Sequence, residues 1–408
     1  MSPAARIYAD YNATAPLRPE ARDAMARALD LTGNPSSVHA EGRKARALVE
    51  GARETIAAAI GACRDDIAFV SGGTEAVQAP ILGALNGAEH LELVVSGIEH
   101  DSAAQLGFRA SRTLITHSSG SYAHPWTPTF TSANGDVLPL EWPTLKDGTA
   151  DLDWLKARMA ASRAESVRPI VSLMMVNNET GVVQPVAEAA AIVHGAGGWI
   201  HCDAIQGVGK IEVNVTDLDV DYLSVSAHKL GGPQGVGAFF VRPNTPFVSV
   251  QTGGGQEFGR RAGTENVAGI VGFAAAADAA LRDMASYQAL AAHRDRMEAR
   301  LKAAAPGLQV HGGGAPRVAG VSCFGVEGLP SETQIMGMDL AGIAISAGSA
   351  CSSGKVRPSR VLSAMGLSET AARSAIRASF GWASKAEDFD ALAEAWIKMA
   401  RRVRDRTL

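Results

Sequence analysis

No stretch of this chain is apolar for long enough to cross a membrane. Its most apolar window, residues 268–281, is interrupted by Asp278 and falls short of the roughly 20 residues a spanning helix needs. The N-terminus, Met1-Ser2-Pro3-Ala4-Ala5-Arg6, has no apolar core of the secretory kind. Blocks of like charge are also missing. With 38 Lys and Arg against 42 Asp and Glu, the formal net charge of −4 gives no electrostatic footprint for nucleic acid. Four cysteines, Cys63, Cys202, Cys323 and Cys351, lie far apart without a C-x-x-C pair, so neither a disulfide framework nor a zinc site is indicated. These absences leave a soluble cytoplasmic protein as the expectation.

What is present is globular. The 408 residues, 46% hydrophobic and 20% charged, suffice for one large domain with a smaller one. Helical spacing covers residues 18–31 and 40–60. A strand, a glycine turn and a helix follow from Ile67 to Asn86, and then a buried-type strand, Leu91 to Ser96. Residues 107–134 are rich in Ser, Thr, His and Pro and read as a surface excursion. Strands at 170–176, 199–203, 222–226 and 237–242 alternate with helices at 151–161 and 186–194. That alternation predicts an α/β fold with a mostly parallel, helix-covered sheet, its functional loops at the strand C-termini. Beyond Gly253, a long helical region over 264–305, short strands and a helix over 386–402 predict a smaller α+β domain.

The polar residues gather at the predicted strand ends. Ser71-Gly72-Gly73-Thr74 opens a helix and could cradle a phosphate, or be an ordinary capping turn. Asp203 ends a strand, where a carboxylate could hold a protonated ring nitrogen; a metal pair with His201 lacks further ligands nearby. Lys229, in Ser226-Ala227-His228-Lys229, is either a solvated loop charge or a buried amine kept for Schiff-base chemistry. Serine hydrolase readings fail. Ser226-x-x-Lys229 lacks the S-D-N and K-T-G partners of the β-lactamases, and His311-Gly312-Gly313-Gly314 has no G-x-S-x-G to serve. Cys351 lies among small flexible residues and could be a nucleophilic thiol, whereas Cys63, Cys202 and Cys323 read as buried and inert. Arg377 interrupts an apolar strand-like stretch and needs an anion, either a substrate carboxylate or a structural salt bridge.

Taken in order, Tyr8-Ala-Asp-Tyr-Asn-Ala-Thr-Ala-Pro16, Gly33-Asn-Pro-Ser-Ser-Val-His39, Gly72-Gly-Thr-Glu75, Glu99-His100, Val176-Asn-Asn-Glu-Thr-Gly181, His201-Cys-Asp-Ala-Ile-Gln206, Ser226-Ala-His-Lys229, Gly253-Gly-Gly-Gln-Glu257, Gly263-Thr-Glu-Asn266 and Ser346-Ala-Gly-Ser-Ala-Cys351 span nearly the whole chain. Their succession resembles the cysteine desulfurases, pyridoxal-phosphate enzymes of the class V aminotransferase group.

The resemblance implies fold type I, aspartate aminotransferase-like, with a seven-stranded sheet in a cofactor-binding domain over 14–280. A small domain, 1–13 with 281–408, would carry the cysteine loop. It further implies that Lys229 holds pyridoxal 5'-phosphate and shuttles a proton, His100 stacks on the ring, Asp203 pairs with its nitrogen and Gln206 bonds its phenolic oxygen. Gly73, Thr74, Ser226 and His228 would bind the phosphate, with Thr264 supplied by a second subunit of a homodimer. Asn178 and Arg377 would hold the carboxylate of L-cysteine, and Cys351 would take its sulfur as a persulfide, releasing alanine. An acceptor protein, such as an iron–sulfur scaffold, would receive the sulfur. The rival readings are a selenocysteine lyase or other class V enzyme, and a non-catalytic sulfur carrier or scaffold. Three features depart from the family: Ala378 stands after Arg377 where Phe is usual, Trp382 replaces a common arginine, and the 107–134 excursion is long.

Overall fold

The computed structural model describes residues 6–88, 91–104, 106, 140–348 and 358–407. Cys351 and the 107–134 excursion lie outside the described residues. An N-terminal strand, β1 (Ile7–Tyr8), precedes the seven strands of the central sheet. These are β2 (Ile67–Val70), β3 (Leu91–Ser96), β4 (Leu140–Trp142), β5 (Arg168–Met174), β6 (Trp199–Asp203), β7 (Tyr222–Ser226) and β8 (Gly237–Val241). Their spatial order is β2-β8-β7-β6-β5-β3-β4. Every pairing from β7 to β4 is parallel, and β8 runs antiparallel to both its neighbours. The sheet is therefore mostly parallel, as the alternating pattern predicts. Strands β2, β3, β7 and β8 are buried along their whole length, as continuous apolar runs should be when helices cover both faces.

A second, antiparallel sheet has the order β12-β13-β10-β9, from β9 (Gln309–His311), β10 (Val321–Gly325), β12 (Ser346–Ala347) and β13 (Ala375–Ser379). β1 pairs in parallel with β11 (Ile343–Ala344), and Asp10 bridges to Ser379, which ties the first residues of the chain to the second sheet. Against that sheet Phe380 stacks on Phe389 with centroids 3.7 Å apart, and Trp396 meets Phe324 edge-on at 5.7 Å. These rings bury the apolar face of the C-terminal helix, Ala386–Thr407.

Three sequence expectations change. The helical region over 264–305 is two helices, Val267–Arg282 and Met284–Ala304, broken at Asp283, whose carboxylate accepts Arg18 Nη1 at 2.5 Å. The glycine turn is partly helical, since Gly73 and Thr74 already belong to the helix Gly73–Gly87. Cys63 is exposed rather than buried, because it precedes a short 3₁₀ turn, Arg64–Asp66, that links a helix to β2. Cys202 and Cys323 are buried, and burial pushes both thiols up. Among the described residues no helix is long and apolar enough to cross a membrane.

Candidate active site

Parallel strands deliver their C-termini to one edge of the sheet. At the end of β7 the chain tightens into a 3₁₀ turn, Ala227–Lys229, which lifts Lys229 off the strand. Its Nζ donates to the carbonyls of Asn12 at 2.5 Å and Ala13 at 2.8 Å. The lysine is half-buried and directed inward, so the solvated-loop reading does not hold. His228 beside it lies 3.3 Å from the Thr14 hydroxyl through Nδ1. Burial, and then the charge of Lys229, push that imidazole down to about 4, so it is neutral at pH 7.

Asp203 closes β6 and is 4% exposed. The Ile205 amide donates to its Oδ1 at 2.9 Å. Burial raises the carboxyl to about 6, against the opposing pull of that amide and of Lys229. Glu99 beneath it is raised well above the usual carboxylate range, first by burial and then by Asp203. A buried carboxylate in this state gains most from a cationic donor. His201, set aside as a metal ligand for want of further ligands nearby, is fully buried with its nitrogens 3.0 Å from Ser172 Oγ and 2.6 Å from Ser224 Oγ. Burial alone holds it at about 3, and it serves as a neutral strut between β5 and β7.

Gln206 and Lys210 form a connected group with Asn12. Gln206 Nε2 donates to the Asn12 carbonyl at 3.0 Å, and Lys210 Nζ donates to Gln206 Oε1 at 2.5 Å and Asn12 Oδ1 at 3.0 Å. Burial, then the charges of Lys229 and Arg377, lower the Lys210 amine to about 7. His100, after β3, is largely buried, and its Nδ1 accepts the Ser102 amide at 3.1 Å, which leaves the ring proton of the neutral form on Nε2. Burial first, and Lys229 next, lower its pKa.

The helix Gly73–Gly87 starts three residues after β2, and its N-cap, Gly72, supplies no side-chain cap. Its first amides are therefore uncapped. A Cβ placed on Gly73 would lie 3.3 Å from Ser226 Cβ, so the end of β7 packs against this turn. Ser226 Oγ is buried and has no hydrogen-bond partner among the described residues, a loss of about 1–3 kcal/mol for an orphaned group. An uncapped helix N-terminus beside an orphaned hydroxyl suits a phosphate. Thr74 is exposed on the same turn. Ser71, just before it, donates through N and Oγ to Glu75, which also accepts Arg261 Nε at 3.0 Å. Thr264 stands apart. It is exposed and lines a separate cavity of about 100 Å³ with Ser71, Glu257 and Arg261.

From the second sheet, Arg377 on β13 reaches the same edge. Its Nη2 donates to Asp10 Oδ1 and Ser346 Oγ, both at 2.7 Å, and its Nη1 to the Asn178 carbonyl at 3.1 Å. The salt bridge to Asp10 is thus present, while the buried Nε has no partner among the described residues. Asn178 accepts Asn12 Nδ2 at 2.9 Å on that same carbonyl. Lys229, Asp203, Gln206, Ser226, His228, Gly73, His100, Asn178 and Arg377 are therefore gathered around one edge. Asn12, Lys210 and Glu179 were not singled out in the sequence. The available signals were Lys210 four residues past Gln206, and a polar Asn12 in an extended segment ahead of Pro16.

The aminotransferase class-V family model matches residues 7–114 and 130–392, passing over 115–129 inside the excursion. A cysteine desulfurase of Cereibacter sphaeroides is 38% identical over 392 residues, 95% of this chain and 94% of the relative. One from Klebsiella pneumoniae is 36% identical over 394 residues, covering 94% and 90%. Among solved structures, a NifS-like protein from Rickettsia africae superposes with a TM-score of 0.81 at 28% identity, over 97% of this chain and 99% of that one. By full-length sequence match and by the geometry at its sheet edge, this chain belongs to the aminotransferase class-V family.

Proposed function

We propose that this protein is a pyridoxal-phosphate-dependent cysteine desulfurase, taking L-cysteine to L-alanine and passing the sulfur to Cys351. The observation that carries the cofactor is the buried Asp203 and half-buried Lys229 at adjacent strand ends, with the Ser226 hydroxyl, unpartnered among the described residues, at a helix start without a side-chain cap beside it. Asp203, Lys229 and Ser226 would offer partners of suitable chemistry to the ring nitrogen, the aldehyde carbon and the phosphate. Bound in this site, the cofactor supplies an electron sink when the substrate loses its α-proton.

The residues divide the remaining work. Lys229 would carry the cofactor and move the α-proton. Asp203 keeps the ring nitrogen protonated by a charge-assisted bond. His100 packs against the ring and Gln206 donates to the phenolic oxygen. Gly73, Thr74, Ser226 and His228 hold the phosphate, and Thr264 completes it from a second subunit. The exposure of Thr264, and of Leu29, Val38 and Phe258, supports such a homodimer. Asn178 and the Arg377 Nε, which has no partner among the described residues, orient the substrate carboxylate. The Cys351 thiolate attacks the substrate sulfur, so that an S–S bond forms as the C–S bond breaks with its electron pair left on carbon. Protonation of that carbon gives alanine, and the persulfide goes to an acceptor protein. A thiol nucleophile in the motif Ser346-Ala-Gly-Ser-Ala-Cys351 favours desulfuration over simple amino transfer.

The test is to incubate purified protein with L-cysteine and a thiol reductant and to measure alanine and sulfide. The wild type should be yellow and form both in equal amounts. Cys351→Ala should stay yellow and lose sulfide release, and undiminished release by this variant would refute the assignment.

A further inference from the structure

Residues 349–357, Cys351 among them, connect β12 to the helix Arg360–Ala364. The described residues at the two ends of this segment meet on a single oxygen. Glu179 Oε2 accepts the Ser359 hydroxyl at 2.5 Å. The same atom stands 2.0 Å from the position a Cβ on Gly348 would take, so that only glycine fits there while the carboxylate stays in place. Ser359 in turn caps the helix that follows, its Oγ accepting the Leu362 amide at 3.0 Å. On the other flank Ser346 is held by Asp10 at 2.9 Å and Arg377 at 2.7 Å.

Glu179 and Ser359 are 5% and 3% exposed. Burial raises the Glu179 carboxyl, and Ser359, Arg377 and Arg360 pull it back down. A carboxyl group buried in this way is costly as mere filler. Glu179 also follows Asn178 directly, whose carbonyl is bonded by Arg377 and Asn12. One backbone step therefore joins the substrate-carboxylate position to both roots of the cysteine segment.

We propose that Glu179 is a positioning residue for Cys351: by joining Gly348 to Ser359 it fixes where the cysteine segment leaves and re-enters the fold relative to the bound substrate. The inference rests on the reading of Cys351 as the sulfur nucleophile. Asn178 and Arg377 hold the substrate, so loosening the brace should slow sulfur transfer without weakening substrate binding.

The experiment compares wild type, Glu179→Ala, Ser359→Ala and Glu179→Gln as holoenzymes, by three readouts. L-cysteine affinity is taken from the change in the visible spectrum, persulfide on Cys351 from a quenched single turnover by mass spectrometry, and the freedom of the segment from the rate of trypsin cleavage after Lys355 without substrate. Glu179→Ala and Ser359→Ala should bind L-cysteine within about 2-fold of wild type yet form persulfide about 10- to 100-fold more slowly, the scale of a misplaced reacting group. Trypsin should cut both faster. Glu179→Gln keeps an oxygen for the Ser359 hydroxyl and should recover most of the persulfide rate. Wild-type persulfide and cleavage rates in Glu179→Ala would overturn the proposal, as would a parallel loss of binding and transfer that glutamine does not restore. The trypsin arm needs no turnover, so it tests the brace independently; wild-type enzyme that forms no persulfide would instead sink the desulfurase reading.

Discussion

Lys229, Asp203 and Ser226 stand at the ends of neighbouring strands of the central sheet, whereas Arg377, Ser346 and Ser359 come from the second sheet and its flanks. The first group is fixed by the backbone itself: parallel β6 and β7 are in register from His201 with Tyr222 to Asp203 with Ser224, and burial sets the ionisation of Asp203, His201 and Lys210. The second group is fixed by side-chain bonds over long sequence separations, Arg377 to Asp10 and Ser359 to Glu179. The difference assigns two kinds of work. A cofactor needs a floor that does not move, while a nucleophile that must meet both substrate and acceptor needs attachments at its roots.

Breaking the floor should cost most. Lys229→Ala should lower alanine formation by about 10³-fold or more, since it removes the group proposed to carry the cofactor and move the proton, and a chromatographic assay of alanine measures it. Asp203→Asn should lower the rate by roughly 10²-fold or more while leaving the fold intact, a loss of electron-sink character that should also shift the visible absorbance of the bound cofactor.

Titration of Asp203 sharpens the contrast further. Its folded pKa of about 6 lies above the ordinary carboxylate value, so between those values the folded cofactor-free chain binds more protons than the unfolded one. This group therefore adds stability as pH falls from about 6 towards 4 and withdraws it as pH rises through 6. Cofactor affinity should run the other way, falling below pH 6 as the carboxylate protonates. Thermal melts of the cofactor-free protein compared with Asp203→Asn, and cofactor binding followed by fluorescence, should show opposite slopes.

Away from both groups, the loop carrying Thr264 is held in part by a buried ion pair. Glu257 accepts Arg53 Nη1 at 2.5 Å and the Phe69 amide at 2.8 Å, with Glu257 and Phe258 both in the left-handed region at φ 50° and 57°. Glu257→Ala removes the main partner of buried Arg53, leaving it the 3.4 Å pair with Glu50 and the Ile67 carbonyl, and should destabilise the protein by about 3 kcal/mol in chemical denaturation. At the bottom of the scale, Lys156→Ala removes an exposed pair with Asp153 and should change stability by less than about 0.5 kcal/mol.

The floor was the more legible part of the sequence. Strand-like runs ending in Asp203 and Ser226 predict buried parallel strands with polar tips, and each tip lies where a strand C-terminus should put it. Residues joined across the chain were harder to read. Arg377 pairing with Asp10, 367 positions away, leaves no mark on local periodicity. Lys210 has the composition of an ordinary turn lysine, and only the fold shows it inside the Gln206 and Asn12 group. Cys63 carried no positional signal, since a small 3₁₀ link to β2 decides its exposure. Glu179 resembled any acidic residue in a turn until Gly348 and Ser359 closed on it.

Two amines, the half-buried Lys229 and the buried Lys210, both donate to Asn12 and line one cavity, and the account requires the cofactor to be on the first. Reducing the holoenzyme with borohydride traps the cofactor on the amine that carries it, and peptide mapping then locates the label. The account predicts the label on Lys229 in the peptide that begins after Lys210; a label on Lys210, or no label on a yellow protein, would contradict it.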